Sequence, residues 1–187
     1  TSMASIEEAL TIARSHDREA EVAFCLKERG LLLCQQRRFA HAYRDLQDSL
    51  TIYRRLDDRF GAAHVISNLT YVSLTAGDWA TGNSYIDQGL RLAHEIGSLT
   101  WEQTFLHYAG WAACYDGLHE QSEGLLRQAE AIGNTIGFRH LAADNRGSLG
   151  FLAFLRGDFQ QARAFIGEDL EVVTRIKAQG EQGFATI

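Results

Sequence analysis

The chain has 187 residues, 45% of them apolar and 22% charged, with a formal net charge of −6 and no proline. The apolar share is enough for a continuous core. Without a basic stripe the chain lacks the clustered Lys and Arg that neutralise phosphates, and no apolar run approaches bilayer length, so neither a nucleic acid nor a membrane is an expected partner.

The absence of proline, with no Val/Ile/Thr alternation, predicts an all-α chain with short turns. A period of 40 residues runs through it. Phe39, Trp79, His119 and Phe159 share one column, and Leu46, Ile86, Leu126 and Ile166 share another seven places on. A fixed period of this order signals stacked repeats.

In chain order, residues 4–15 match a second helix whose first helix is missing, because Ile6, Ala9, Leu10 and Ala13 anticipate Leu46, Ser49, Leu50 and Tyr53. Four helix-pair units follow at 19–57, 59–97, 99–137 and 139–177, and 180–187 starts a further repeat. First helices are expected over about 19–36, 59–76, 99–116 and 139–156, and second helices over about 40–56, 80–96, 120–136 and 160–177. Between them stand Gly77-Asp78-Trp79, Asp116-Gly117-Leu118 and Gly157-Asp158-Phe159, where glycine suits a left-handed C′ position and aspartate caps the next helix. The first unit has Gln36-Arg37-Arg38-Phe39 there, a less well specified turn. The partial ends predict a single array, 1–187, cut from a longer one.

Small residues recur where helices must approach closely: Gly30, Thr70, Gly110 and Gly150 on first helices, and Ala42, Gly82, Ser122 and Ala162 on second helices. A further small column is Ser49, Gly89, Ala129 and Asp169. A mid-helix glycine costs about 1 kcal/mol relative to alanine, so its repetition predicts tight crossings rather than hinges. Arg29, Glu130 and Asp169 break otherwise apolar or small columns, and leave the packing around them open.

These columns resemble the tetratricopeptide repeat. Gly30, Gly110, Gly150, Ala42, Ala162 and Ala129 stand at that family's small positions, and Phe39, Trp79 and Phe159 at its aromatic turn position. The unit here is longer than usual and lacks the family's proline after the second helix. This variant is similar to the sensor arrays of bacterial STAND-type ATPases and transcription activators, and also to animal adaptor arrays in cell-polarity complexes. The resemblance implies a right-handed α-solenoid of antiparallel helix pairs whose concave face is lined by first helices. The groove positions it implies include Lys27 in the first unit, His64, Asn68 and Tyr71 in the second, His107, Tyr108, Trp111 and Tyr115 in the third, and Asp144 and Phe151 in the fourth.

Tyr71, Trp111 and Phe151 form an aromatic column that fits either a groove wall or the seam between neighbouring first helices. With Lys27 and Asn68 as the only strong clamp-type donors, and His64 and His107 mostly neutral near pH 7, a co-chaperone-like carboxylate clamp is disfavoured. His107, Cys114 and His119 lack the tight ligand pairs zinc needs, there is no phosphate loop, and no nucleophile–base arrangement is visible. The expectation is a non-catalytic scaffold without cofactor, binding a protein, peptide or small inducer within a larger signalling or transcription-regulatory protein. The alternative is end-to-end self-association as a homodimer. The three scattered cysteines read as small core residues, and with no signal-like opening they lead to an expected cytoplasmic location.

Overall fold

The computed structural model describes residues 2–137, 139–165 and 167, and of 139–143 the backbone alone. The described residues are helical with short turns: α1 Met3–Ser15, α2 Glu19–Gln35, α3 Phe39–Arg55, α4 Arg59–Ala76, α5 Trp79–Ile96, α6 Leu99–Tyr115, α7 His119–Thr135 and α8 Arg139–Leu155. A further helix, α9, opens at 159 and is described to 165. The expected helical residues 168–177, the column positions Ile166 and Asp169, and the repeat opening at 180–187 lie outside the described residues. The chain divides into two compact units, Thr1–Trp101 and Glu102–Ile187, with the division inside α6.

In the first unit each helix packs on the next, from α1 to α5, and α2 also packs on α4. That pattern is a stack of helix pairs, with alternate helices forming a second layer of contact. Close approach explains the small columns. A Cβ added to Gly30 would lie 2.7 Å from Leu46 Cγ, and one added to Gly82 would lie 2.6 Å from Leu74 Cδ2. Ser49 is fully buried because its hydroxyl donates to the Ala23 carbonyl across the α2–α3 crossing at 2.7 Å. α1 closes on α2 through Ile6 and Leu10, which join Cys25 and Leu26 in one apolar cluster.

The turns repeat one geometry whatever residue they carry. Position 37/77/117/157 has positive φ in each of the four repeats: Arg37 at 58°, Gly77 at 81°, Gly117 at 75° and Gly157 at 78°. So does position 17/57/97/137, occupied by Asp17 at 51°, Asp57 at 51°, Gly97 at 64° and Gly137 at 75°. The next N–H returns to a carbonyl five residues back, as in Arg38 to Leu33 at 2.9 Å and Asp78 to Ser73 at 2.9 Å. This is a Schellman end. The first-unit turn is therefore as well defined as the others, and Arg37 adopts the left-handed state that glycine takes elsewhere. Asp58, Asp78 and Asp158 then cap the following helices through Gly61, Thr81 and Gln161 N–H groups at 2.8, 3.2 and 2.9 Å.

Two of the column-breaking charges, Arg29 and Glu130, turn out to be paired. Arg29 grips Asp45 with two bonds, Nε to Oδ2 at 2.6 Å and Nη2 to Oδ1 at 2.8 Å, across α2 and α3. In the second unit Glu130 on α7 meets Arg146 on α8 at 3.4 Å. Their equivalents one, two and three periods earlier are Leu90 and Leu106, Leu50 and Ile66, and Leu10 and Leu26. At two positions that are apolar in the earlier repeats, charges stand instead, and the two charges meet. The rest of the unit keeps the common plan: a Cβ on Gly110 would lie 2.7 Å from Leu126 Cγ, and Ser122 donates to the Gly110 carbonyl at 2.8 Å.

Candidate functional site

The ten residues implied as groove positions fall into two separate sets. Lys27, His64, Asn68 and Tyr71 belong to the first unit. His64, Asn68 and Tyr71 follow at i, i+4 and i+7 along α4 and so share a face. Lys27, from α2, is only 5% exposed. Its ammonium lies 3.3 Å from His64 Nδ1, 3.1 Å from Glu28 Oε1 and 4.7 Å from the centroid of the Phe24 ring. Lys27 has no acceptor role, so it donates and His64 Nδ1 accepts. Burial, and then the Lys27 charge, hold the imidazole below its usual pKa. The His64 ring also meets Trp101, with centroids 5.4 Å apart. Asn68 is 8% exposed, and its amide nitrogen has no hydrogen-bond partner. Tyr71 is 39% exposed. Lys27 and Asn68 are thus internal while His64 is exposed, and the Lys27 cation is already matched by Glu28, His64 and the Phe24 ring.

In the second unit, His107, Trp111, Tyr115, Asp144 and Phe151 line a cleft of about 460 Å³, with Cys114, Gly147, Ser148 and Leu126 completing the wall. The residues of α6 are spaced at helical intervals, so His107, Trp111, Cys114 and Tyr115 present one face; Asp144, Gly147, Ser148 and Phe151 do the same on α8. Tyr108 is not in the wall; its ring meets His107 edge-on with centroids 5.9 Å apart. Trp111 and Tyr115 pack edge to face at 5.9 Å, and Tyr115 and Phe151 lie 6.5 Å apart. Tyr115 is 55% exposed and Phe151 43% exposed, so large apolar surface stays in contact with solvent. His107 Nδ1 lies 2.8 Å from Asn145 Oδ1, and since the amide oxygen can only accept, the ring N–H donates. Burial lowers the His107 pKa, against the opposite pulls of the Asn145 hydrogen bond and the Asp144 charge. The imidazole is accordingly neutral near pH 7.

Leu126 is the wall residue that sequence reasoning missed, because its second-helix column reads as core throughout. Another cleft, about 300 Å³, lies in the first unit and is lined by Arg54, Arg59 and Arg91 together with Asp57, Asp58 and Glu95. Its balanced charges favour no sign of ligand.

Cys25, Cys34 and Cys114 are buried, and burial is the leading cause that raises each thiol pKa. Among the described residues no group of three His, Cys, Asp or Glu is placed to hold a metal ion, and no helix is long and apolar enough to cross a membrane.

No protein-family model matches this chain. Over 89 residues, 48% of this chain, it is 32% identical to the regulatory protein AfsR of Streptomyces coelicolor. The chain spans only 9% of that relative's length. Among solved structures, BtubC (BKLC) from P. vanneervenii superposes over 91% of this chain and 70% of its own, with a TM-score of 0.74 and 17% identity. At that identity the likeness is one of fold, and with the all-helical architecture it establishes a helical-repeat, α-solenoid class for this chain.

Proposed function

We propose that this chain is a non-catalytic binding segment of a larger regulatory protein, built from degenerate tetratricopeptide-type repeats of the kind found in bacterial STAND-type regulators and working in the cytoplasm. The local similarity to a regulatory protein supports the setting. The observation that carries the binding role is the α6–α8 cleft, where Trp111, Tyr115 and Phe151 keep apolar surface open beside a few polar tips. Clefts of several hundred Å³ with aromatic walls and few polar groups are the usual form of a ligand or peptide site. The occupant is a protein or peptide segment, with a small inducer as the lesser fit given how open the aromatic wall is.

The test is a titration of fragments from the parent protein and its neighbours against the chain, read by tryptophan fluorescence and calorimetry. Trp111→Ala and Phe151→Ala are expected to weaken binding at least tenfold, as anchors at the centre of an interface do. Unchanged affinity in both would move the site elsewhere. Light scattering across concentration separates this from end-to-end self-association: a mass that rises with concentration and is indifferent to both substitutions favours the latter.

A further inference from the structure

The cleft between α6 and α8 carries a negative charge that finds no counter-charge among the described residues. Asp144 is exposed in its wall, and among the described residues it makes no ion pair or hydrogen bond. Among the described residues no Lys or Arg lines the cleft. The repeat shows what is missing. One helix pair of the first unit sets Lys27 of α2 against His64 of α4, at 3.3 Å. Two periods on, those two positions are His107 and Asp144. Where the first unit has a built-in cation, resting on the Phe24 ring at 4.7 Å, the second has an imidazole that burial keeps neutral. With its Nδ1–H committed to Asn145, that imidazole retains an acceptor at Nε2. The aromatic rings remain as well, with Trp111, Tyr115 and Phe151 at successive centroid spacings of 5.9 and 6.5 Å.

Resting on the cleft reading above, we infer that this cleft receives the cationic side chain of a peptide partner, arginine in particular. A guanidinium is planar and weakly hydrated, stacks on aromatic faces, and offers a fork of donors to a carboxylate. The cleft supplies both halves of that match, rings and a carboxylate, and among the described residues it offers no donor of formal charge that would repel a cation. An anionic ligand would meet Asp144 without compensation. The chain's net charge of −6 works in the same direction at long range.

The probes are three blocked amino-acid amides, N-acetyl arginine, citrulline and norleucine methylamides, titrated into the isotopically labelled 187-residue chain. The Trp111 indole N–H signal is followed at physiological salt. Arginine is expected to shift it at a concentration about tenfold lower than its neutral isostere citrulline, the order of one cation–π contact plus a charge-assisted hydrogen bond. Asp144→Asn should erase that preference, and Asp144→Glu should keep it. Equal response to arginine and citrulline, or a preference that survives Asp144→Asn, overturns the inference. A shift by norleucine alone also overturns it, but leaves the aromatic cleft as a binding site. No shift by any of the three removes both readings.

Discussion

Replacing Arg146 with leucine probes a place where charges stand at two positions that are apolar in the earlier repeats. Glu130 and Arg146 have side chains 19% and 18% exposed, meet through a single contact at 3.4 Å, and leave Arg146 Nε buried without a partner. The pair therefore carries most of its desolvation penalty while gaining one contact of modest geometry. Arg146→Leu strands the Glu130 carboxylate in the α7–α8 seam. Breaking a fully buried pair costs about 3–5 kcal/mol, and the residual exposure of this one reduces the expectation to about 2 kcal/mol. Glu130→Leu costs less, about 1 kcal/mol, because an arginine can carry its head group to water along its apolar stem. The double variant restores the apolar residues of the equivalent positions, and should match or exceed the parent by about 1–2 kcal/mol. Urea unfolding followed by circular dichroism and tryptophan fluorescence reads these differences as midpoint shifts at constant slope. A double-mutant cycle then gives the coupling directly. If the double variant unfolds at clearly lower urea than the parent, the ion pair is a net stabiliser and the reasoning from desolvation is wrong.

Other expectations follow from the same geometry. Gly110→Ala should destabilise by about 1–2 kcal/mol in spite of its helix propensity, because the new Cβ would sit 2.7 Å from Leu126 Cγ; Gly124→Ala, where no atom lies within 4 Å, should instead stabilise by about 0.5–1 kcal/mol. Thermal midpoints of the two alanine variants moving in the same direction would contradict this. Arg37→Gly should stabilise by about 0.5–1 kcal/mol, since only the L side chain makes the left-handed turn unfavourable, measured as a rise in the urea midpoint. His64 and His107 are held below the usual histidine pKa, so as pH falls below about 6.5 the unfolded chain takes up protons that the folded chain refuses. Stability should be fully present above that pH and decline on acidification until the folded pKa values are passed; His64→Gln and His107→Gln should each flatten the decline, and a profile left unchanged by both would place the acid sensitivity elsewhere.

The helix order and its turns were legible because they are written in local pattern. A 40-residue period, glycine at the ends of first helices and small residues at the crossings mark backbone states and close approaches that recur whenever the unit recurs. The helix starts at Glu19, Arg59, Leu99 and Arg139 agree with that reading, and the second helices begin one residue earlier than expected, at Phe39, Trp79 and His119. The turn at Arg37 was harder to read because its geometry is imposed by the packing on either side, which overrides the residue's own preference.

Periodicity along a helix tells which residues share a face, and for this chain that was enough to draw α6 and α8 as carriers of one aromatic column. It does not tell how far a neighbouring helix stands from that face. Only the packed helices decided that Lys27 meets His64, that Glu130 finds Arg146, and that Trp111, Tyr115 and Phe151 face a cleft with Asp144 in its wall. The physical reason is one of range. Backbone conformation is set within a few residues of chain, whereas burial and charge pairing depend on distances between residues about 16 to 40 positions apart, which no single helix contains.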